Sequence, residues 1–106
     1  MLRAVYVRTL KEGVSDDDYI AAWMPDGMSR EEYPAKVVIS HSNTHERQTV
    51  TTLEFEADTD DLLDALGPLV HPDWRDRVAA VVESTELESI TEITTRYGSV
   101  GEPGAW

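Results

Sequence analysis

The sequence predicts a single α+β domain whose elements follow one another in the order strand, helix, strand, strand, helix, strand. Short runs rich in valine, threonine and aromatic residues predict the strands, and stretches with apolar residues at helical spacing predict the helical regions. The length of 106 residues is enough for one buried core. We therefore expect a four-stranded antiparallel sheet with both helical regions on one of its faces.

Composition limits the classes of partner. Hydrophobic residues make up 41% and charged residues 28% of the chain, which is ordinary for a folded domain. The 21 acidic residues against 9 lysines and arginines give a formal charge of −12. Such a charge repels phosphate backbones and anionic lipid headgroups, so we expect neither nucleic acid nor a membrane as a partner.

The sequence also predicts a compartment. It contains no cysteine, which suits a reducing environment. Its first residues have no apolar segment of signal-peptide length, and no stretch approaches the ~18 apolar residues that a membrane span needs. We therefore expect a cytoplasmic protein.

The first strand and the first helix have clear signals. Residues 2–9 alternate between two faces and contain aromatic and β-branched residues, which predicts a strand. Ser15 and Asp18 form a capping-box pattern, in which each side chain accepts a hydrogen bond from the backbone amide of the other residue. A helix with Trp23 on its apolar face should follow, and Pro25 ends it because a proline nitrogen has no hydrogen to donate.

An irregular connection, residues 25–34, then leads into a predicted hairpin. The strands of the hairpin are residues 36–40 and 48–57, which are rich in valine and threonine. In the second of them Leu53 and Phe55 share the one face that is clearly apolar. A long connection that is bounded by prolines often borders a pocket.

The second helical region is interrupted. Acidic residues at 58–61 suit the start of a helix, because the helix dipole favours negative charge there. Gly67-Pro68 breaks the helical pattern. Pro72 then suits the first position of a resumed helix that carries Trp74 on its apolar face.

The last strand and a tail complete the chain. Residues 87–97 have apolar residues at helical spacing, yet their threonines and isoleucines favour an extended chain, and we interpret them as a strand. The domain then spans residues 1–97. Residues 98–106 contain three glycines and one proline, so we expect an irregular tail.

The order of elements is that of a ferredoxin-like fold, in which the sheet face away from the helices needs a cover. A second copy of the chain in a two-fold dimer supplies it. With Trp23 late in the first helix, His71-Pro72-Asp73-Trp74 in the broken second helix, and the strand at 48–55, this order resembles the dimeric α+β barrel superfamily. The resemblance covers about residues 2–97, and the best-known branch is the antibiotic biosynthesis monooxygenase-like proteins.

The resemblance leaves three functions open, because the superfamily includes cofactor-independent monooxygenases, haem-degrading enzymes and proteins of no known activity. The first is a homodimer that binds or oxidises a small lipophilic or aromatic ligand without metal, flavin or any other cofactor. If the protein is an enzyme, this makes it monooxygenase-like. The second is a noncatalytic dimer with a role in interaction or regulation. The third is haem binding through His71 or His41.

His71, beside the start of the resumed helix, is the candidate catalytic residue because histidine exchanges protons near neutral pH. The alternative is that it caps the helix or packs against it. The candidate ligand-binding residues are the aromatic side chains of Trp23, Tyr33, Trp74, Tyr6 and Phe55. The alternative is that these rings form the core. We expect Trp23, Tyr33, His71 and Trp74 to bound one space, where the 25–34 connection meets the break at Gly67-Pro68.

Other polar residues carry weaker signals. His41 and His45 are four residues apart but flank the hairpin, which favours surface turn residues over metal ligands. A guanidinium in a cleft would suit a carboxylate-bearing substrate, and the alternative is that it neutralises neighbouring acids. The arginines in question are Arg8, Arg30, Arg47 and Arg96. A metal site needs three or four converging ligands, and we expect none. The sequence also contains no glycine-rich phosphate loop, nucleophile elbow or HExxH motif.

Overall fold

The computed structural model describes residues 1–98, apart from the side chains of residues 59 and 63. Its helices and strands are β1 (Leu2–Leu10), α1 (Asp16–Trp23), β2 (Lys36–His41), β3 (Gln48–Phe55), α2 (Leu62–Leu66), α3 (Trp74–Val81) and β4 (Val82–Glu92). Turns of 3-10 helix, Thr59–Asp61 and Gly67–Leu69, flank α2. The tail predicted at 98–106 lies outside the described residues except for Gly98.

The strands form one sheet in the order β2-β3-β1-β4, and every neighbouring pair is antiparallel. This is the ferredoxin-like arrangement, so the predicted α+β fold is confirmed. In the centre of the sheet Tyr6 lies opposite Thr51, and Thr51 donates a hydrogen bond to Tyr19 of α1. The neighbouring Leu53 packs in one cluster with Leu69, which follows α2. Both helical regions therefore cover the same face of the sheet.

The first helix begins where its capping box predicts. The hydroxyl of Ser15 accepts from the amide of Asp18 at 3.1 Å, and the carboxylate of Asp18 accepts from the amide of Ser15 at 3.1 Å. The helix ends at Trp23, immediately before the Met24-Pro25 pair. Its buried residues are Tyr19, Ala22 and Trp23, which face the sheet and α3. The rings of Tyr19 and Trp23 therefore lie over the sheet.

The end of the chain differs from the prediction. The sequence pattern predicts helix through Val82 and a strand at 87–97, whereas α3 ends at Val81 and β4 runs from Val82 to Glu92. The reason is pairing with β1: Val82 lies opposite Leu10 and Glu92 opposite Leu2, so β4 ends where its neighbour begins. Residues 83–86 are exposed and polar, which conceals their strand character in the sequence.

The sheet face away from the helices is the open face. It carries the aliphatic side chains of Val5, Val7, Val38, Val50 and Leu87. Val38 is 50% exposed and Leu87 is 47% exposed. No element within residues 1–98 packs over them, whereas at one end of the open face Arg3 and Arg96 bury the carboxylate of Glu54. The open face is thus mixed, with an aliphatic centre and an ion-pair cluster at its edge.

Candidate functional site

A small cavity, the inner cavity, lies between the covered face of the sheet and the helices. It has a volume of about 20 Å³, which is room for about one water molecule. Its lining is formed by Tyr6, Arg8, Tyr19, Trp23, Thr51, Leu53, Leu66, Val70 and Trp74. The cavity therefore combines aromatic walls with a guanidinium and hydroxyl groups.

Arg8 is the unusual member of this lining. It is 4% exposed, because the alternation of β1 places it on the covered face with Ala4 and Tyr6. A register shift in the β1–β4 pairing falls between Val7 and Arg8, and such irregularities re-aim side chains. Arginine is usually an exposed residue, but the geometry of the strand buries Arg8.

The partners of Arg8 are aromatic. Its Nη1 donates to the hydroxyl of Tyr19 at 2.8 Å, and its Cζ lies 4.4 Å from the ring centroid of Tyr6. The rings of Tyr19 and Trp74 are each 5.9 Å away. None of the ion pairs within residues 1–98 involves Arg8, and its Nε is buried without a hydrogen-bond partner. Burial of the Arg8 guanidinium costs several kcal/mol of desolvation free energy, and its contacts with the aromatic rings offset only ~2 kcal/mol of that cost.

Tyr19 and Thr51 complete the polar part of the lining. Tyr19 is 0% exposed, and its hydroxyl accepts from both Arg8 and Thr51, the latter at 3.3 Å. Burial raises the pKa of Tyr6, the charge of Glu88 raises it further, and the charge of Arg8 opposes both effects. The Tyr6 hydroxyl is thus a neutral group that can donate a hydrogen bond.

Trp23 separates the inner cavity from a larger opening at the surface, the outer groove. Trp23 is 5% exposed, and its ring makes an edge contact with Tyr33 at a centroid distance of 5.7 Å. Its Nε1 is buried and has no hydrogen-bond partner. Trp23 thus contributes to the lining of both spaces.

The outer groove lies between α1, β2 and the connection between them. Its volume is about 450 Å³, within the range of small-molecule sites. The lining residues are Asp16, Asp17, Ile20, Trp23, Met24, Arg30, Tyr33, Ala35, Val37 and Ile39. An Arg30–Asp17 ion pair and a hydrogen bond from the Tyr33 hydroxyl to the carbonyl of Leu69 hold the connection in place. Burial raises the pKa of Tyr33 well above its ordinary value, so this hydroxyl keeps its proton.

His71 lies beside these spaces and lines neither of them. Its amide donates to the carbonyl of Trp23 at 2.8 Å, which ties the start of α3 to the end of α1. Its Nδ1 accepts from the amide of Asp73 at 3.0 Å, and its Nε2 faces the carboxylate of Asp26 at 3.0 Å. A neutral His71 would therefore carry its proton on Nε2. Both nitrogens are engaged, and a catalytic role for His71 stays a prediction.

The predicted ligand-binding residues are divided among three places. Tyr6, Trp23 and Trp74 line the inner cavity, and Trp23 and Tyr33 line the outer groove. Phe55 lines neither space and packs in a second core cluster with Leu2, Ala4, Leu53 and Leu69. Thr51 was not among the candidates, although its position two residues from Leu53 on the apolar face of the strand could have indicated it.

Within residues 1–98, no three histidine, aspartate or glutamate side chains gather as metal ligands would. His41 bonds instead to Asp16 at 2.7 Å and lies 3.2 Å from the carbonyl of Glu46. Over the same residues, no helix has the length and apolar character that crossing a membrane requires.

Comparison with known proteins gives one structural likeness. No protein-family model matches the sequence, and no curated protein matches it significantly. The fold is similar to the crystal structure of a candidate antibiotic biosynthesis monooxygenase from Chloroflexus aurantiacus J-10-fl, with a TM-score of 0.58 and 13% sequence identity. The alignment covers 92% of this chain and 96% of that chain. At the level of fold, the resemblance predicted from the sequence is confirmed.

Proposed function

We propose that the protein binds a small lipophilic or aromatic molecule in the outer groove and oxidises it without a bound metal or flavin. The observation that carries this proposal is the position of Trp23, which forms a wall of both a surface groove of about 450 Å³ and an inner cavity with polar groups. The apolar part of the groove suits a flat ring, and the inner cavity suits one polar atom of it.

Oxidation without a cofactor restricts the substrate. Both atoms of dioxygen must be reduced with electrons from the substrate, as when a CH₂ group and O₂ give a carbonyl group and water. Such a substrate is electron-rich, as a polyphenol is. Tyr6, whose pKa is raised by burial, and Tyr19, whose hydroxyl accepts from Arg8 and Thr51, both line the cavity and would donate hydrogen bonds to a developing oxyanion.

The proposed active form is a homodimer that pairs the open faces. The exposed Val38 and Leu87 lie on this face, and a standard interface buries ~1,600 Å² in total. In a dimer of this kind the covered faces stay outside the interface. Each protomer would keep its own groove and cavity.

A second candidate function is a noncatalytic dimer with a role in interaction or regulation. The observation in its favour is the size of the inner cavity, about 20 Å³, which means that aromatic side chains fill most of the space between sheet and helices. In this case the rings serve as core and the outer groove binds no small molecule.

Titration of indole into isotope-labelled protein tests the proposal. We expect the indole N–H signal of Trp23 to shift, because its ring is a wall of the groove. The variant Ile39→Trp would fill the groove and abolish the shift. Asn43→Trp is the control, since Asn43 is exposed in the connection between β2 and β3 and lines neither the groove nor the cavity. Unchanged signals in the wild type would favour the noncatalytic dimer.

Oxidation itself is tested by the uptake of dioxygen after a naphthalene diol is added to the protein. The expected result is uptake above that of the diol alone, and its loss in Ile39→Trp but not in Asn43→Trp. Equal uptake by both variants would show that the outer groove takes no part in the reaction.

A further inference from the structure

We propose that the ligand is an anion and that Arg8 binds its charged oxygen in the inner cavity. The ligand class is an aromatic compound that carries an oxyanion, either a carboxylate or a phenolate. This inference rests on the proposed function for the place of the aromatic body, and it adds the charge of the ligand and the residue that recognises it.

The first argument is the missing counter-charge. A guanidinium keeps its charge in proteins, and a buried charge is normally paired. Arg8 is 4% exposed, yet no carboxylate within residues 1–98 forms an ion pair with it. The other charged groups that act on Tyr6 beside it are Glu88 and Arg75, both exposed. An anion in the cavity would supply the charge that the described part of the chain does not.

The second argument is the number of unused donors. Arg8 Nε and Trp23 Nε1 are both buried without partners, and both residues line the inner cavity. The hydroxyl of Tyr19 accepts two hydrogen bonds, so its own hydrogen is available to a third group. A further buried nitrogen without a partner, Arg3 Nε, belongs to β1 on the open face. One oxygen with several lone pairs would satisfy the donors around the cavity.

The third argument is size. The cavity of about 20 Å³ has room for one oxygen atom but not for an aromatic ring. The ring has room in the outer groove, and because Trp23 lies between the two spaces, its side chain must move aside when such a ligand binds. A water molecule could occupy the same place and accept the same hydrogen bonds, but it would leave the charge of Arg8 unpaired. An oxyanion meets both requirements at once.

The test compares benzoate with benzamide, which has nearly the same shape and no charge. Binding of each to the full chain is followed by the indole signals of Trp23 and Trp74. We expect benzoate to bind the wild type more tightly, and Arg8→Met to weaken benzoate binding by at least about 10-fold while benzamide changes less than ~2-fold. Arg47→Met is the matched control, because it removes the same charge from a half-exposed arginine that pairs with Glu83.

Further measurements separate the sources of the oxyanion. If a phenolate is recognised, the wild type lowers the apparent pKa of para-nitrophenol, followed by its colour, and Arg8→Met does not. If only a carboxylate is recognised, benzoate alone shows the preference. Arg8→Lys keeps the charge and should retain part of the preference even if Arg8→Met folds poorly.

Two results would overturn the inference in distinguishable ways. Equal affinity of the wild type for benzoate, benzamide and para-nitrophenol would show that a site exists but that Arg8 does not select an anion. No binding of any of the three would remove the site, and with it both this inference and the proposed function.

Discussion

Replacing Arg8 with methionine should make the unliganded protein more stable, although the substitution removes a hydrogen bond. Burial of a guanidinium costs several kcal/mol, and replacement of buried charges by apolar side chains has stabilised other proteins by ~1–4 kcal/mol. Methionine is long and flexible enough to fill most of the space. Tyr19 keeps its second hydrogen bond, from Thr51.

The magnitude follows from the partners of Arg8. Against the desolvation cost stand one charge-assisted hydrogen bond to Tyr19 at 2.8 Å, worth ~1.5–3 kcal/mol, and ring contacts worth ~2 kcal/mol. These contacts offset most but not all of the cost. We therefore expect Arg8→Met to raise the free energy of unfolding by roughly 1–2 kcal/mol.

Urea unfolding followed by circular dichroism, at one protein concentration, measures this gain. The midpoint should rise by roughly 0.5–1 M with an unchanged slope. Arg3→Met is the control on the same strand, because Arg3 is paired at 2.7 Å with Glu54, which is 8% exposed. That variant should lose about 1 kcal/mol. A midpoint for Arg8→Met as low as that of Arg3→Met would refute the claim that Arg8 lacks a counter-charge.

Three more predictions concern other parts of the molecule. Burial raises the pKa of Glu54, but hydrogen bonds from Arg3 and Arg96 outweigh it and lower the pKa overall. Its stabilising effect is therefore present above its unfolded pKa of ~4.3 and lost as the pH falls through the folded value. The difference in unfolding free energy between wild type and Glu54→Gln should shrink below that pH, and a constant difference would contradict this. On the open face, Val38→Glu places a charge in the proposed dimer interface, so the variant should sediment as a monomer. A wild type that already sediments as a monomer would contradict the proposed dimer. His71→Ala should cost ~1 kcal/mol through the lost bond to Asp73. Loss of indole binding in a folded His71→Ala protein would instead support a functional role of His71 beyond capping.

The elements with local signals were predictable from the sequence. The capping box at Ser15 and Asp18 depends on residues three apart, and the structure contains both of its hydrogen bonds. The end of β4 was not predictable, because it depends on where β1 begins, which is ~90 residues away in the chain. Local propensity placed that strand too late, at 87–97, since threonine and isoleucine are dense there and sparse in residues 83–86.

The candidate site, too, was predictable from the sequence only where local patterns determine it. Strand alternation predicts that Arg8 shares a face with Ala4 and Tyr6, and that face is buried. Whether a carboxylate meets Arg8 there depends on elements distant in the chain, which the periodicity of one strand does not encode. The sequence contains 21 acidic residues. One of them, Glu54 of β3, forms an ion pair with Arg3, which belongs to the same strand as Arg8 but lies on the opposite face of the sheet. In a chain of charge −12 a buried arginine has many available partners. The described fold nevertheless brings no acidic side chain within ion-pair distance of Arg8. A ligand with its own negative charge would therefore gain the most binding free energy at this site.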